Sequence, residues 1–249
     1  MEKVRTLMEL TSPEVEKILT GTRLAILPLG SVEQHGGHLP CGTDYYAADS
    51  LARRVASLTG GLVADFCPYG VTPLHMGFAG TVTLRAETMI AFFMDVCESL
   101  HRHGARRFVF LNWHERNIPA IEIAAERAQV ELEDTRVLIV HACFIAQEMF
   151  GEKVGLTHGG ELEVLPILAD HPELVHLDRA TDASPLGESA AKDKERRTRA
   201  VYPVPRDVRD MYPSGWYGVI EDTSPERVKE VMEGISRDAA ERIKAYFEI

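Results

Sequence analysis

Four short apolar runs, each followed by a stretch with helical spacing, constrain this chain more than any other feature. The runs are Leu24 to Leu29 (LAILPL), Leu62 to Phe66 (LVADF), Arg107 to Asn112 (RFVFLN) and Val137 to Ala142 (VLIVHA). Each has the length of a strand and little polar alternation, which suits a strand buried on both faces. Helical patterns lie between and beyond them: about Tyr45 to Leu58, Ala86 to His103 with Gly104 as a stop, Pro119 to Leu132, Glu161 to Ala169, and Ser224 to Phe247 opened by a Ser-Pro cap. Strands alternating with helices predict an α/β fold, three-layer α/β/α, with a mostly parallel central sheet. No internal repeat interrupts the pattern, so residues 1–249 read as a single domain.

Charge narrows the range of partners. A formal net charge of -11 at pH 7 repels phosphate backbones, so nucleic acid is not an expected partner and a small-molecule substrate is. No apolar run reaches the length of a membrane span, and the opening MEKVRTLMEL lacks the apolar stretch of a signal peptide. Cys41, Cys67, Cys97 and Cys143 are scattered, without the spacing of a zinc knuckle or redox pair. They read as reduced thiols in a cytoplasmic protein, all but Cys41 packed in the core. The charge-rich stretch Lys192 to Arg199 reads as a solvated loop or surface helix with no catalytic role.

In a parallel sheet the chemistry sits in loops after the C-terminal strand ends. Two His-bearing segments lie there. SVEQHGGHLPCGTD, Ser31 to Asp44, puts Glu33, His35, His38 and Asp44 in one loop. Imidazoles and carboxylates together suit Zn²⁺, Mn²⁺ or another first-row ion. Glu33 and His35 are two apart, so on an extended segment they point to one side. LNWHERN, Leu111 to Asn117, offers His114 as a ligand and Asn112 and Asn117 as donors that orient carboxylates. A third cluster, THGGELE, Thr157 to Glu163, sets His158 and Glu161 beside two glycines. Glu163 reads as a carboxylate placed to favour the helix dipole.

These three segments, in this order, resemble the metal-binding motifs of the creatininase, or creatinine amidohydrolase, family. Cys67 to Leu84, CPYGVTPLHMGFAGTVTL, resembles the family's substrate-side loop and brings in Thr72. The likeness runs from about Leu24 to Ala169; beyond it, SGWYGVIEDTSPE keeps a trace of a Gly-Asp-Pro element. The resemblance implies two divalent ions per chain, Zn²⁺ and/or Mn²⁺. Glu33 and His114 would hold one, His35 and Glu161 the other, and Asp44 would bridge them. Glu161 enters because the position that is Glu in creatininases proper, two after the second-motif His, is Arg116 here. His158 takes the place of the family's third-motif His and is expected to serve as general acid. His38, Thr72, Asn112, Glu115, Arg116 and Asn117 are expected to bind substrate or support the ligands.

The implied activity is hydrolysis of a C–N bond in a cyclic amide or formamide. An alternative on the same metals is ring opening of a cyclic ketone such as a dehydro-inosose. A more remote one is a metal-binding protein without turnover. Creatininases proper carry aromatic residues just before the third motif, where this chain has Val154 to Thr157, VGLT. That speaks against creatinine itself. An Arg at position 116 suits a carboxylate or phosphate on the substrate. The resemblance also implies a homo-oligomer, a hexamer.

Overall fold

The computed structural model describes residues 4, 6–155, 157–198 and 200–249. Residues 1–3 and 5 of the N-terminal run, Leu156 within VGLT and Arg199 at the end of the charged stretch lie outside the described residues. The elements run α1 (Ser12–Gly21), β1 (Leu24–Leu29), α2 (Thr43–Thr59), β2 (Leu62–Val63), α3 (Ala86–Arg102), β3 (Arg107–Asn112), α4 (Ile118–Glu131), β4 (Arg136–His141), α5 (Ala142–Val154), α6 (Glu161–Asp170), α7 (Leu186–Thr198) and α8 (Pro225–Phe247). The four strands pair in the order β2-β1-β3-β4, every pair parallel.

Alternation along the strands divides the core into two layers. Leu24 and Ile26 of β1, with Val109 and Leu111 of β3, pack on one face against α2, α5 and α8. Ala25, Leu27 and Leu29, with Phe108 and Phe110, pack on the other against α3 and α4. All six residues of β1 are buried. An unbroken apolar run is what a strand covered by helices on both faces requires.

Helix α1 was not among the expected elements, and two other departures have a local reason. The second strand stops at Val63 instead of Phe66. Ile26 presents its carbonyl to this neighbour, accepting from Ala64 N–H at 2.9 Å. Two residues on, Pro28 faces the same way and has no N–H to offer, so pairing ends there. The sheet opens beside Pro28, just before the loop that carries Glu33. The second departure is α5, which starts directly after β4. VLIVHACFIAQEMF contains no turn residue, so strand and helix merge in sequence into one apolar run.

The helix ends follow ordinary capping chemistry. Ser224 Oγ accepts from Arg227 N–H at 3.2 Å at the head of α8, with Pro225 at its first position. The stretch that begins at Lys192 lies on the helix α7, and Lys192 Nζ donates to the Asp210 carbonyl at 2.7 Å. Cys97 and Cys143 are buried, and Cys67, half-buried like Cys41, packs against the second core layer. Among the described residues, no helix is long and apolar enough to cross a membrane.

Candidate active site

The loops after β1 and β3 and the head of α6 converge at the C-terminal edge of the sheet. Asp44 enters from the first turn of α2 and is buried, as are Glu33, His35 and His114. His114 Nδ1 lies 2.9 Å from Asp44 Oδ2, and its Nε2 lies 3.5 Å from Glu33 Oε2. On the opposite oxygen of Asp44, Oδ1 is 3.3 Å from His35 Nε2. Glu163 Oε2 stands 3.7 Å from that same nitrogen. Three ligand triads result among the described residues, Glu33–Asp44–His114, His35–Asp44–Glu163 and Glu33–His35–His158, and the first two share Asp44.

Each ligand is held by a group behind it. Ser31 Oγ donates to Asp44 Oδ2 at 2.8 Å, and Thr72 Oγ1 donates to Glu33 Oε2. Gly159 N–H donates to Glu163 Oε2 at 2.5 Å. His35 Nδ1 donates to the Glu33 carbonyl at 3.1 Å, which turns Nε2 toward the carboxylates. That nitrogen is buried and has no hydrogen-bond partner. A buried ring nitrogen aimed between two carboxylates suits a metal ion, and a proton in its absence.

The electrostatics agree. Burial opposes charge on His35, yet Asp44 and Glu163 outweigh it and push its pKa up to about 10. Burial also opposes charge on His114, and Glu33 and Asp44 push it up to about 9. The Asp44 carboxyl, despite burial, is held well below its usual range by His35 and His114. Burial pushes Glu163 up to about 7. Three carboxylates buried together demand positive charge, which protons or a metal can supply.

The expected ligand Glu161 is not part of this cluster. Its Oε2 accepts from the N–H groups of Glu221 and Asp222, both at 2.9 Å, and its Oε1 from Arg227 Nε at 3.2 Å. Residues two apart on a helix project about 200° apart, so Glu161 and Glu163 cannot both face the sheet edge. Glu161 pins α6 to the segment before α8, and Glu163 faces His35.

Several of the expected supporting residues lie behind the cluster. Asn112 Nδ2 donates to the His114 carbonyl at 2.7 Å, and Asn117 joins Gly30 and Asn112 through its Nδ2. Both hold the second loop in place instead of touching the carboxylates. Thr72 supports Glu33. His38 touches no carboxylate itself and supports the site at one remove. Its Nε2 donates to the Gly159 carbonyl at 2.7 Å and its ring packs 4.5 Å from Trp216, centroid to centroid. It braces the turn whose N–H holds Glu163. Gly159 has φ +80°, and a Cβ there would lie 3.1 Å from the Trp216 side chain, so only glycine closes this seam.

A cleft with about 70 Å³ of free space opens over the cluster. Glu115 and Arg116 line it, with His75, His158 and Tyr212. Arg116 is the one Lys or Arg in that lining among the described residues. Trp113 is buried in the core and reaches the cleft wall. Tyr212 adds one aromatic ring to the lining, its centroid 5.4 Å from that of His158. His158 Nε2 is 2.8 Å from the Gln34 carbonyl, which can only accept, so the proton sits there. Its Nδ1 therefore carries a lone pair, 3.9 Å from Glu33 Oε1. Burial, with His35 and His75 nearby, holds the ring well below its ordinary pKa. His158 thus turns an open ring nitrogen toward the cleft. Gln34, His75 and Tyr212 were not singled out from the sequence. His75 lies in the loop already tied to the substrate side, and that was its only signal.

Comparison with known proteins extends the local picture to the whole chain. The family model for creatininase, described as creatinine amidohydrolase, matches residues 8–243. The creatinine amidohydrolase of Pseudomonas putida is 32% identical over 197 residues, 71% of this chain and 76% of that one. The mycofactocin precursor peptide peptidase of Mycobacterium ulcerans is 34% identical over 190 residues, 72% of each chain. The 3-dehydro-scyllo-inosose hydrolase of Thermotoga maritima is 32% identical over 186 residues, 72% of this chain and 60% of that one. Among solved structures, a manganese form of creatininase superposes with a TM-score of 0.77 at 27% identity, covering 99% of both chains. A Zn–Zn form of a creatininase variant superposes with a TM-score of 0.78 at 27% identity and the same coverage.

Proposed function

This chain belongs to the creatininase family, and we propose that it is a metal-dependent hydrolase cleaving a C–N bond of a cyclic amide or formamide in a small molecule. The observation that carries this reading is the pair of buried triads sharing Asp44, set beside the lone pair of His158. Glu33, Asp44 and His114 would hold one divalent ion, and His35, Asp44 and Glu163 the other, as zinc or manganese. When bound, such a pair lowers the pKa of water and polarises a carbonyl.

The chain's own groups supply the rest. His158 Nδ1 takes a proton from the attacking water and returns it to the leaving nitrogen. Tyr212 walls the cleft beside it. Arg116 is placed to meet an anionic group on the substrate. Creatinine is not the substrate we propose, because Val154 to Thr157 brings no aromatic clamp. The four free thiols fit a reducing compartment, the cytoplasm. We also propose a homo-oligomer, a hexamer; sedimentation of a lone 27.7 kDa chain at micromolar concentration would overturn that part.

A second reading, ring opening of a cyclic ketone on the same metals, is favoured by the likeness to the Thermotoga maritima inosose hydrolase. The test is metal analysis of protein reconstituted with zinc or manganese, followed by a panel of cyclic amides, formamides and cyclic ketones. Two ions per chain and metal-dependent turnover of an amide support the proposal. Turnover of ketones alone supports the second reading. A protein that stays metal-free after reconstitution overturns both, and metal without any turnover points to a non-catalytic binder.

A further inference from the structure

Gln34 determines what each cleft histidine shows to the substrate. Backbone groups orient its amide: Nε2 donates to the Gly215 carbonyl at 2.5 Å, and Oε1 accepts from Gly36 N–H at 3.1 Å. A carbonyl cannot donate and an N–H cannot accept, so the amide's two ends are not interchangeable here. Nε2 has two hydrogens, and Gly215 takes one. Two ring nitrogens lie 3.2 Å away, His75 Nδ1 and His158 Nε2. His158 Nε2 already holds a proton for the Gln34 carbonyl, so it cannot accept another. The second amide hydrogen therefore goes to His75 Nδ1, and the proton of the neutral His75 ring sits on Nε2.

Both rings are the same tautomer, turned opposite ways. His75 offers an N–H 3.5 Å from Glu33 Oε1, and His158 offers a lone pair 3.9 Å from the same oxygen. Their centroids are 4.7 Å apart, and both line the cleft. A donor and an acceptor thus approach the same carboxylate oxygen where it lines the cleft.

We propose that His75 is a further catalytic residue whose Nε2–H donates to the substrate carbonyl oxygen, with Gln34 as the positioning residue that holds this tautomer. The proposal rests on the hydrolase reading above. As the water oxygen bonds to the carbonyl carbon, one water proton passes to His158 Nδ1 and the C=O electron pair moves onto oxygen, against the His75 N–H. As the C–N bond breaks, that pair returns to re-form C=O, and the leaving nitrogen takes the proton from His158. No proton leaves His75, so a neutral donor suffices, which is the logic of an oxyanion hole.

The experiment has a spectroscopic and a kinetic arm. Long-range ¹H–¹⁵N correlation on ¹⁵N-histidine protein, metal-free and zinc-loaded, reads the tautomers, with His75→Gln and His158→Gln assigning the rings. His75 is expected as Nε2–H in the wild type, gaining a proton on Nδ1 in Gln34→Glu, where a carboxylate replaces the amide donor. His75 as Nδ1–H in the wild type, or unmoved by Gln34→Glu, overturns the proposal. On a substrate from the panel, His75→Leu should lower kcat by about 10²–10³-fold, leaving KM and metal content nearly unchanged. His75→Gln, which retains an N–H donor, should recover about tenfold of that loss. Equal losses in the two variants, or loss of metal from His75→Leu, also overturn it. If the wild type turns over nothing in the panel while the tautomers are as assigned, the hydrolase reading falls and the catalytic role with it, but the tautomer assignment stands.

Discussion

Glu161 and Glu163 share the first turn of α6 and serve opposite sides of it. Glu161 accepts three hydrogen bonds, from Glu221 and Asp222 in the segment leading into α8 and from Arg227 in its first turn. Glu163 takes one from Gly159 and faces His35 Nε2 at 3.7 Å. Exchange of each for Gln separates the two tasks. Glu163→Gln should lose the ion shared with His35 and Asp44 and nearly all turnover. Glu161→Gln should keep both ions and unfold at lower denaturant, by about 1–3 kcal/mol for a buried group losing charged partners. Metal stoichiometry and urea midpoints decide; loss of metal from Glu161→Gln and none from Glu163→Gln would reverse the assignment.

Asp44 is the side chain shared by the two triads proposed to hold the ions, so in that arrangement its charge should matter more than that of any other ligand. Asp44→Asn keeps the size and the contact with Ser31 Oγ while removing the charge that His35 and His114 both face. Both ions and essentially all activity should go. A variant that retains two ions by metal analysis would show that Asp44 does not bridge.

Protons and metal compete for the same buried carboxylates, and the sign of the pH effect follows. His35 and His114 are raised to about 10 and about 9 in the folded chain. A group raised in this way stabilises fully below its unfolded pKa, about 6.5 for His, and the contribution is lost as pH rises through the folded value. Glu163, raised to about 7, acts in the same direction at lower pH, because the native state keeps a proton the unfolded chain has released. Asp44, lowered, loses its contribution only as pH falls far below this window. Chelator-treated protein should therefore lose stability between roughly pH 6.5 and 10, and the zinc-loaded protein much less. The gap between their Tm values should widen by at least about 3 °C across that range. Parallel Tm curves would mean that metal does not take the place of these protons.

What was legible in the sequence, and what was not, follows from the range of the interactions. Glu33, His35, Asp44 and His114 could be picked out because each sits in or just after a loop that leaves an apolar strand, and strand ends can be located from apolar runs. Glu161 and Glu163 could not be separated, because the helix dipole favours either, and their directions depend on where α6 begins. The merged run VLIVHACFIAQEMF hid the start of α5, and Pro28 shortened β2 through a pairing that only the sheet order reveals. His38 looked like a site residue because it neighbours one in sequence, yet its ring turns toward Gly159 and Trp216. Gln34 and Tyr212 depend on Gly215 and His158, far away along the chain, so no local pattern could mark them.

His158 carries the remaining prediction. Its Nε2 proton is committed to the Gln34 carbonyl, so only Nδ1 is open toward Glu33 and the cleft. With the ring held well below its ordinary pKa, it begins the cycle neutral and able to accept. It can act as an acid only after it has taken a proton from the attacking water. Removing such a group costs roughly 10²–10⁴-fold in rate. His158→Ala should therefore keep both ions and lose turnover by about that factor. The loss should shrink for substrates with better leaving groups, which need less protonation as the C–N bond breaks. Geometry supplies the competing outcome, because Glu33, His35 and His158 also place ligand atoms close enough to share an ion. If His158→Ala loses an ion, that triad is the binding one, and His158 is a ligand. If both metal content and rate are unchanged, His158 has no part in the chemistry, and its contacts with Gln34 and Tyr212 serve only to shape the cleft.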